Sequence, residues 1–208
     1  MRTIPKAVAN RLSLYRRLLE RLHADGVRTI SSRAISDSLG LKDAQVRRDL
    51  THFGSFGQPG LGYRVAELLG KVRTILGTDR TWPVALVGYG NLGRALVAYA
   101  KVPGRSFRIA AVFDADPAKV GRQAGGLVVR DASELVRQVR RQKIPLAILA
   151  VPAEVAPKVA WRLARAGVRG ILNFAPARLD VPKRVFVSDI DFTASMEQLS
   201  FHLRRRRA

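Results

Sequence analysis

Two groups of residues in this chain have types and spacings that suit binding chemistry. The first lies in Pro83-Val84-Ala85-Leu86-Val87-Gly88-Tyr89-Gly90-Asn91-Leu92-Gly93, a short apolar run that ends in G-x-G-x-x-G. A helical pattern, Arg94 to Tyr99, follows at once. In a strand–turn–helix of this kind Gly88 permits the tight turn, Gly90 lets a pyrophosphate approach the backbone, and Gly93 lets helix and strand pack. The loop residues Tyr89, Asn91 and Leu92 are then cofactor-facing, and the helix start offers unpaired N–H groups to the phosphate. Asp114 closes the next apolar run about 20 residues further on, the spacing at which a carboxylate accepts from the hydroxyls of an adenosine ribose. Such a carboxylate repels a 2′-phosphate, so the pattern predicts NAD(H), as NADH or NAD⁺, rather than NADP(H).

The second group is Gln45, Arg47, Arg48 and Thr51, which fall on the outward faces of a short helical pattern whose Val46, Leu50 and Phe53 point inward. Gln, Arg and Thr are side chains that read base edges or hold phosphates in the major groove. The overall charge agrees with a polyanionic partner. The 208 residues contain 37 Lys+Arg against 16 Asp+Glu, a net charge of +21. Nucleic acid is the first reading, ahead of an acidic membrane surface. The charge is not localised, because basic residues exceed acidic ones on both sides of residue 77.

Other chemistry is poorly supplied. With no cysteine there is no disulfide, thiolate metal site or thiol redox sensor, and no metal is expected. No leader sequence and no apolar run of membrane-spanning length is apparent, so the expectation is a soluble cytoplasmic protein. Hydride transfer to a carbonyl needs a proton donor near the nicotinamide. Of His23, His52 and His202, two lie in the helical N-terminal segment, and the lysines fall in helices or surface loops. The chain is therefore expected not to be an enzyme. The alternative reading is an NAD-dependent oxidoreductase with an accessory nucleic-acid-binding domain.

The elements that must position these residues form two series. From Pro5 to Asp25 apolar residues recur at helical spacing, with Gly26 as the stop and Arg11, Arg16, Arg17 and Arg21 on other faces, most of them solvated. Ser31-Ser32 caps a second helix that ends at Gly40, and Asp43 is placed to cap the third. Two short helices across a tight turn make a helix-turn-helix. Gly54 to Tyr63, with four glycines and Pro59, reads as a hairpin wing, and Gly60 joins the DNA-facing set. A further helix runs to Gly77, and residues 78–82 form a linker. Beyond it, apolar runs at 84–87, 109–113, 127–129, 146–151, 170–172 and 185–187 alternate with helices near 92–101, 116–121, 133–142 and 154–166. That rhythm predicts an α/β domain, a Rossmann-type parallel sheet with helices on both faces. The loop 88–93, Val151-Pro152 and Asn173-Phe174 should converge beyond the carboxyl ends of its strands. Phe174 fills core or lines the cofactor. The C-terminal pattern Met196, Leu199, Leu203 has one apolar face and needs a partner surface, which a second subunit can supply. The Arg204–Arg207 run reads as a solvated tail that adds phosphate contacts if it folds back. The division is 1–77, 78–82, 83–190 and 191–208.

Taken together, these stretches resemble the Rex family of NADH-responsive transcriptional repressors along essentially the whole chain. The resemblance is carried by Gln45-Val46-Arg47-Arg48-Asp49-Leu50 with Phe53-Gly54, by Gly60-Leu61-Gly62-Tyr63, and by the glycine loop. Asp114-Ala115-Asp116-Pro117-Ala118-Lys119-Val120-Gly121, Gly167 to Pro176 and Asp191-Phe192 add to it. It implies a homodimer with an N-terminal winged helix-turn-helix domain, a Rossmann domain and a swapped C-terminal helix. It further implies an operator held when NADH is scarce and released when NADH is abundant. By matching position Arg47 and Arg48 contact DNA, Tyr99 and Asp191 of opposite subunits bond in one state, and Arg17 is Asp191's alternative partner. Phe192 lies near the neighbouring subunit's nicotinamide. One departure stands out: Pro59 occupies a wing position where the family usually carries Arg or Lys, so the wing lacks that cation.

Overall fold

The computed structural model describes residues 6–51, 54, 57–58, 61–102, 104 and 106–205. Pro5, His52, Phe53, Pro59, Gly60, Arg206 and Arg207, which figure in the sequence reading, lie outside the described residues. The chain forms two compact units, Met1–Arg80 and Thr81–Ala208.

In the first unit α1 (Lys6–Ala24) is followed by β1 (Thr29–Ile30), α2 (Ser32–Leu39) and α3 (Asp43–Thr51). Then come β2 (Gly57–Gln58), β3 (Gly62–Arg64) and α4 (Val65–Leu76). Ser31 caps α2 by accepting from the Ala34 N–H at 3.0 Å, and Gly40 ends it in the left-handed region. Asp43 does not cap α3 as expected. It is the helix's first residue, and its carboxylate meets Arg47 one turn on at 2.6 Å, a pairing that also suits the helix dipole. The three strands form an antiparallel sheet in the order β1-β3-β2. Together with α1–α4 it makes a winged helix. The two-residue β1 was not foreseen, because so short a strand has no period to read. Gly62 is demanded by this sheet: its φ is +75° and an added Cβ would stand 2.6 Å from the Ile30 carbonyl oxygen. Leu12, Tyr15, Leu19, Val46, Leu50 and Leu68 lie in one buried core.

That core contains a charge. Asp49, on the inward face of α3, is 3 % exposed. Its Oδ1 accepts from Arg11 Nη2 and Gln45 Nε2, each at 2.8 Å. Its Oδ2 accepts from Arg11 Nε and, at 2.8 Å, from the Tyr15 hydroxyl. Arg16 is likewise paired, with Glu20, which Arg73 of α4 also reaches. Two of the four arginines on α1, most of them expected to be solvated, are thus held in ion pairs.

The second unit starts with β4 (Trp82–Val87), α5 (Asn91–Ala100), β5 (Phe107–Asp114), β6 (Gln123–Ala124) and β7 (Leu127–Asp131). A 3₁₀ turn at Ala132–Glu134 leads into α6 (Leu135–Arg141), β8 (Leu146–Leu149), α7 (Ala156–Ala166), β9 (Gly170–Asn173), β10 (Phe186–Asp189) and α8 (Phe192–Arg205). Trp82 belongs to the sheet and not to a linker, since its N–H bonds the Ser106 carbonyl at 2.9 Å. The helix expected near 116–121 is a run of turns; Asp116 accepts from the Ala118 N–H and Pro117 and Gly121 leave no room for helical propagation. The sheet order is β10-β9-β8-β4-β5-β7-β6, parallel throughout except for β6 against β7. With β6 set aside this is the dinucleotide-fold order, whose crossover lies between β4 and β8. Alternate residues serve the two faces: Ala85, Val87, Ala147 and Leu149 pack under α6 and α7. Val84, Leu86 and Ile148 pack on the face that α5 covers through Leu96 and Val97.

The buried carboxylate makes a pH prediction. Burial works against ionisation of Asp49, but the bonds from Arg11, Tyr15 and Gln45 and the Arg11 charge outweigh it and hold the carboxyl below its usual 3.8. A depressed folded value means stabilisation that is complete at neutral pH and lost as pH falls from 3.8 through the folded value. Asp49→Asn should therefore cost roughly 1–3 kcal/mol at pH 7, and the gap between its melting temperature and the wild type's should close below about pH 4. Thermal melts by circular dichroism from pH 7 to pH 2 measure this.

Candidate nucleotide site and nucleic-acid interface

Four backbone bonds stitch the carboxyl edge of the sheet. Gly88 N–H bonds Phe113 O, Ala150 N–H bonds Val87 O, Phe174 N–H bonds Leu149 O, and Ile190 N–H bonds Asn173 O, all at 2.8–2.9 Å. These bring the three predicted loops to one edge. At its centre Gly88 has φ +100°, and a Cβ there would stand 2.1 Å from the Ala150 carbonyl oxygen, with Val151 beside it. A Cβ on Gly93 would stand 2.1 Å from the Gly88 oxygen. At Gly90 an added Cβ meets nothing within 4 Å. Gly88 and Gly93 are spent on packing, while Gly90 leaves open space at the start of α5, whose first turn has no side-chain cap. An anionic group placed there meets unpaired N–H donors and the positive end of the dipole.

Asp114, at the end of β5, is 8 % exposed. Its Oδ2 accepts from the Tyr89 N–H at 2.7 Å and its Oδ1 from the Asp116 N–H at 2.9 Å. Lys119 Nζ stands 3.4 Å from Oδ2 and 3.5 Å from Asp116. Burial raises its pKa, but the backbone bonds from Asp116 and Tyr89 and the Lys119 charge prevail and lower it. The carboxylate is ionised at neutral pH and pins the glycine loop through Tyr89, a duty the sequence did not reveal.

Leu92, Phe174, Pro176, Asp191 and Phe192 line one cavity of about 760 Å³. Phe174 both packs against the buried sheet residues and lines this cavity. Asn173 differs from expectation. Its side chain is buried, donating to the carbonyls of Ala175 and Ala177 and to Asp189, and accepting from the Ala175 N–H. Its side chain shapes the loop from behind. Pro152 is exposed and opens the turn into α7, while Asn91 accepts from Arg94. An open phosphate cradle, an ionised acceptor and apolar walls fit an adenine dinucleotide. Among the described residues no three His, Cys, Asp or Glu side chains are grouped to hold a metal.

On α3, Arg47, Arg48 and Thr51 are exposed. Arg48 has no ion pair or hydrogen bond among the described residues. Arg47 is held by Asp43, and the Thr51 hydroxyl donates to the Arg47 carbonyl at 2.8 Å. Gln45 is only half exposed, because its amide is committed to Asp49.

Comparison with known proteins bears on both surfaces. A family model described as a CoA binding domain matches residues 79–177, and one described as a putative DNA-binding protein N-terminus matches residues 3–51. The redox-sensing transcriptional repressor Rex of Carboxydothermus hydrogenoformans is 46 % identical over 97 % of both chains. Rex 1 of Thermotoga maritima is 45 % identical over 98 % of this chain and 97 % of its own. This chain belongs to the Rex family. Among solved structures, RSP bound to β-NAD⁺ and operator DNA superposes with a TM-score of 0.95 at 36 % identity, covering 100 % of this chain and 95 % of that one. RSP bound to β-NADH gives 0.88 at 34 %, covering 100 % and 97 %.

Arg17, Tyr99 and Asp191 are the residues that the family resemblance pairs across subunits. Arg17 is exposed on α1 and lines a cavity of about 460 Å³ with Leu14, Leu18 and Arg21. Tyr99 is half exposed on α5. Asp191 caps α8, its Oδ1 accepting from the Ala194 N–H at 2.8 Å. The sequence reading missed this cap, Lys119 and the Arg11–Tyr15–Asp49 group. The signal for the last was an acid at an inward position flanked by Val46 and Leu50.

The glycine geometry separates two outcomes. Gly88→Ala should cost about 3 kcal/mol or more through strain and collision. Gly90→Ala should change stability by less than about 1 kcal/mol yet weaken dinucleotide binding, because its Cβ fills the phosphate's space. Chemical denaturation and nucleotide titration of the two variants check this.

Proposed function

We propose that this protein is a DNA-binding transcriptional repressor that senses the NADH/NAD⁺ ratio, holding its operator when NADH is low and releasing it when NADH binds. The likeness of the whole chain to RSP, a Rex-family repressor, in its complex with β-NAD⁺ and operator DNA carries the reading. Its relatives are repressors by name and not enzymes, and no catalytic residue is assigned.

On the nucleotide side, Gly88 to Gly93 cradle the pyrophosphate, Asp114 takes the ribose hydroxyls, and Val151, Pro152 and Phe174 flank the ligand, with Asn173 fixing their loop. Selectivity follows from charge. Asp114 and Asp116 against Lys119 leave a net negative group beside the ribose, which disfavours the 2′-phosphate of NADP(H) and the ribose phosphate of CoA alike. Arg47, Arg48, Thr51, Gln45 and Gly60 face DNA, and Arg48, which has no competing partner among the described residues, contributes most.

The active form is a homodimer in the cytoplasm. Supporting this, α8 exposes Phe192, Met196, Leu199, Phe201 and Leu203, with Phe192 75 % exposed. In addition, Leu146, Ile148, Leu172 and Phe186 line an open apolar hollow of about 340 Å³ on the sheet. Apolar surface of that extent calls for a partner. No helix among the described residues is long and apolar enough to cross a membrane. Asp191 exchanging the partner's Tyr99 hydroxyl for Arg17 is a small bistable contact. NADH shifts it only by binding the two dimer arrangements with different affinity.

Fluorescence anisotropy of a labelled duplex selected from a random pool, at physiological salt, tests the reading. NADH should release the duplex at concentrations where NAD⁺ and NADPH do little; release by none of the three refutes it. Arg48→Ala should weaken duplex binding roughly 5- to 100-fold with NADH affinity unchanged. Asp191→Asn, which keeps a helix cap but loses the charge, should retain DNA binding and blunt the NADH response. Asp114→Ala should weaken NADH binding and narrow the gap between NADH and NADPH in nucleotide titrations.

A further inference from the structure

Gln45 and Asp49 stand one turn apart on α3, and the bond between them fixes more than the fold. A carboxylate has about four acceptor sites, and Asp49 fills them with two donors on each oxygen. Ionised, it has nothing to donate, so Gln45 must turn its amide nitrogen inward. The carbonyl oxygen of Gln45 then has no partner among the described residues. It sits at the N-terminal half of the helix whose Arg47 and Arg48 are exposed. An unbuttressed glutamine loses several rotatable bonds on binding. Here that ordering is already complete in the folded protein, held by a network anchored in Arg11 and Tyr15 of α1.

We propose that Asp49 is a positioning residue for operator reading, holding Gln45 with its carbonyl outward. Thus α3 selects, at one base pair per half-site, a base with an exocyclic amino group on its major-groove edge. Adenine and cytosine carry that group there, and adenine adds an N7 acceptor for the second amide hydrogen. Guanine and thymine present a carbonyl oxygen at that edge, which meets the Gln45 oxygen with no proton between them. The inference rests on the assignment of α3 to the DNA face.

The test uses the full-length protein, a duplex selected by the wild type from a random pool, and every single base-pair variant of it. Affinities are read by anisotropy and NADH affinity by titration. The wild type should lose tenfold or more when the adenine or cytosine at one position per half-site is replaced, and the panel shows which of the two it is. Gln45→Met, which leaves Arg11, Tyr15 and Asp49 joined, should flatten the profile at that position alone. Asp49→Asn should flatten the same position, the double variant should add nothing further, and NADH affinity should stay unchanged in all. Gln45→Glu keeps an acceptor but cannot donate to Asp49, so it too should lose the preference; this holds the test open if Asp49→Asn does not fold. A Gln45→Met profile that superposes on the wild type's overturns the proposal. So does an Asp49→Asn variant that weakens every duplex by one factor, or a Gln45→Glu variant with the preference intact, since either makes Asp49 merely structural. A wild type with no base preference overturns the DNA assignment of α3 and the proposal with it, while NADH binding reports separately on the other unit.

Discussion

The contact on which the nucleotide site depends is a backbone crossing with no space for a side chain. Gly88 passes under the Ala150 carbonyl, and Gly93 sits on the Gly88 carbonyl. Because both approaches are made by peptide groups, neither neighbour has a rotamer with which to yield. The end of β4, the start of α5 and the loop after β8 are therefore fixed relative to one another. Asp114 completes the arrangement by holding the Tyr89 N–H from the side. An ordered set of N–H donors around an open Gly90 follows from these constraints, and the ordering is complete before any ligand arrives.

The winged-helix unit fixes its binding helix by the opposite means. There a buried charge is satisfied, where the nucleotide site removes side chains. A desolvated carboxylate is expensive unless its acceptor sites are filled, and Asp49 is filled by one guanidinium, one phenol and one amide. Two of these donors come from α1 and one from α3 itself, so the same atoms that neutralise the charge set the helix's rotation. A hydrophobic contact of equal strength would hold α3 in place with less angular definition, since burial is non-directional.

What is left exposed also has a physical logic. Each unit has a complete core, yet α8 turns apolar residues outward and the sheet leaves an apolar hollow beside β9 and β10. A repressor answering to a soluble nucleotide needs a contact that two ligand states weigh differently. The unfilled apolar surface of α8 runs up to the cavity that Phe192 lines. An excess of basic residues of this size favours any polyanion through charge alone and carries no sequence information.

Much of this was legible in the amino-acid sequence, because periodicity and turn chemistry are local. The helix starts at Ser31, the stops at Gly26, Gly40 and Gly77, the strand–glycine–helix unit and Asp114 all follow from neighbours within a few residues. The misplacements were local conflicts: Trp82 looked like a linker beside polar residues, and residues 116–121 looked helical until Pro117, Gly121 and the Asp116 turn prevailed. The tertiary structure alone decided the partners of side chains. The Asn173 amide braces its own loop through the carbonyls of Ala175 and Ala177, and it meets Asp189 only because β10 is laid beside β9. Arg11 is a partly buried partner and not a free solvated charge because Asp49, far along the chain, is buried against it. A hydrogen bond's partner depends on chain crossings that no local pattern encodes, so the sequence by itself determines where surfaces lie, and packing decides which groups remain free to use them.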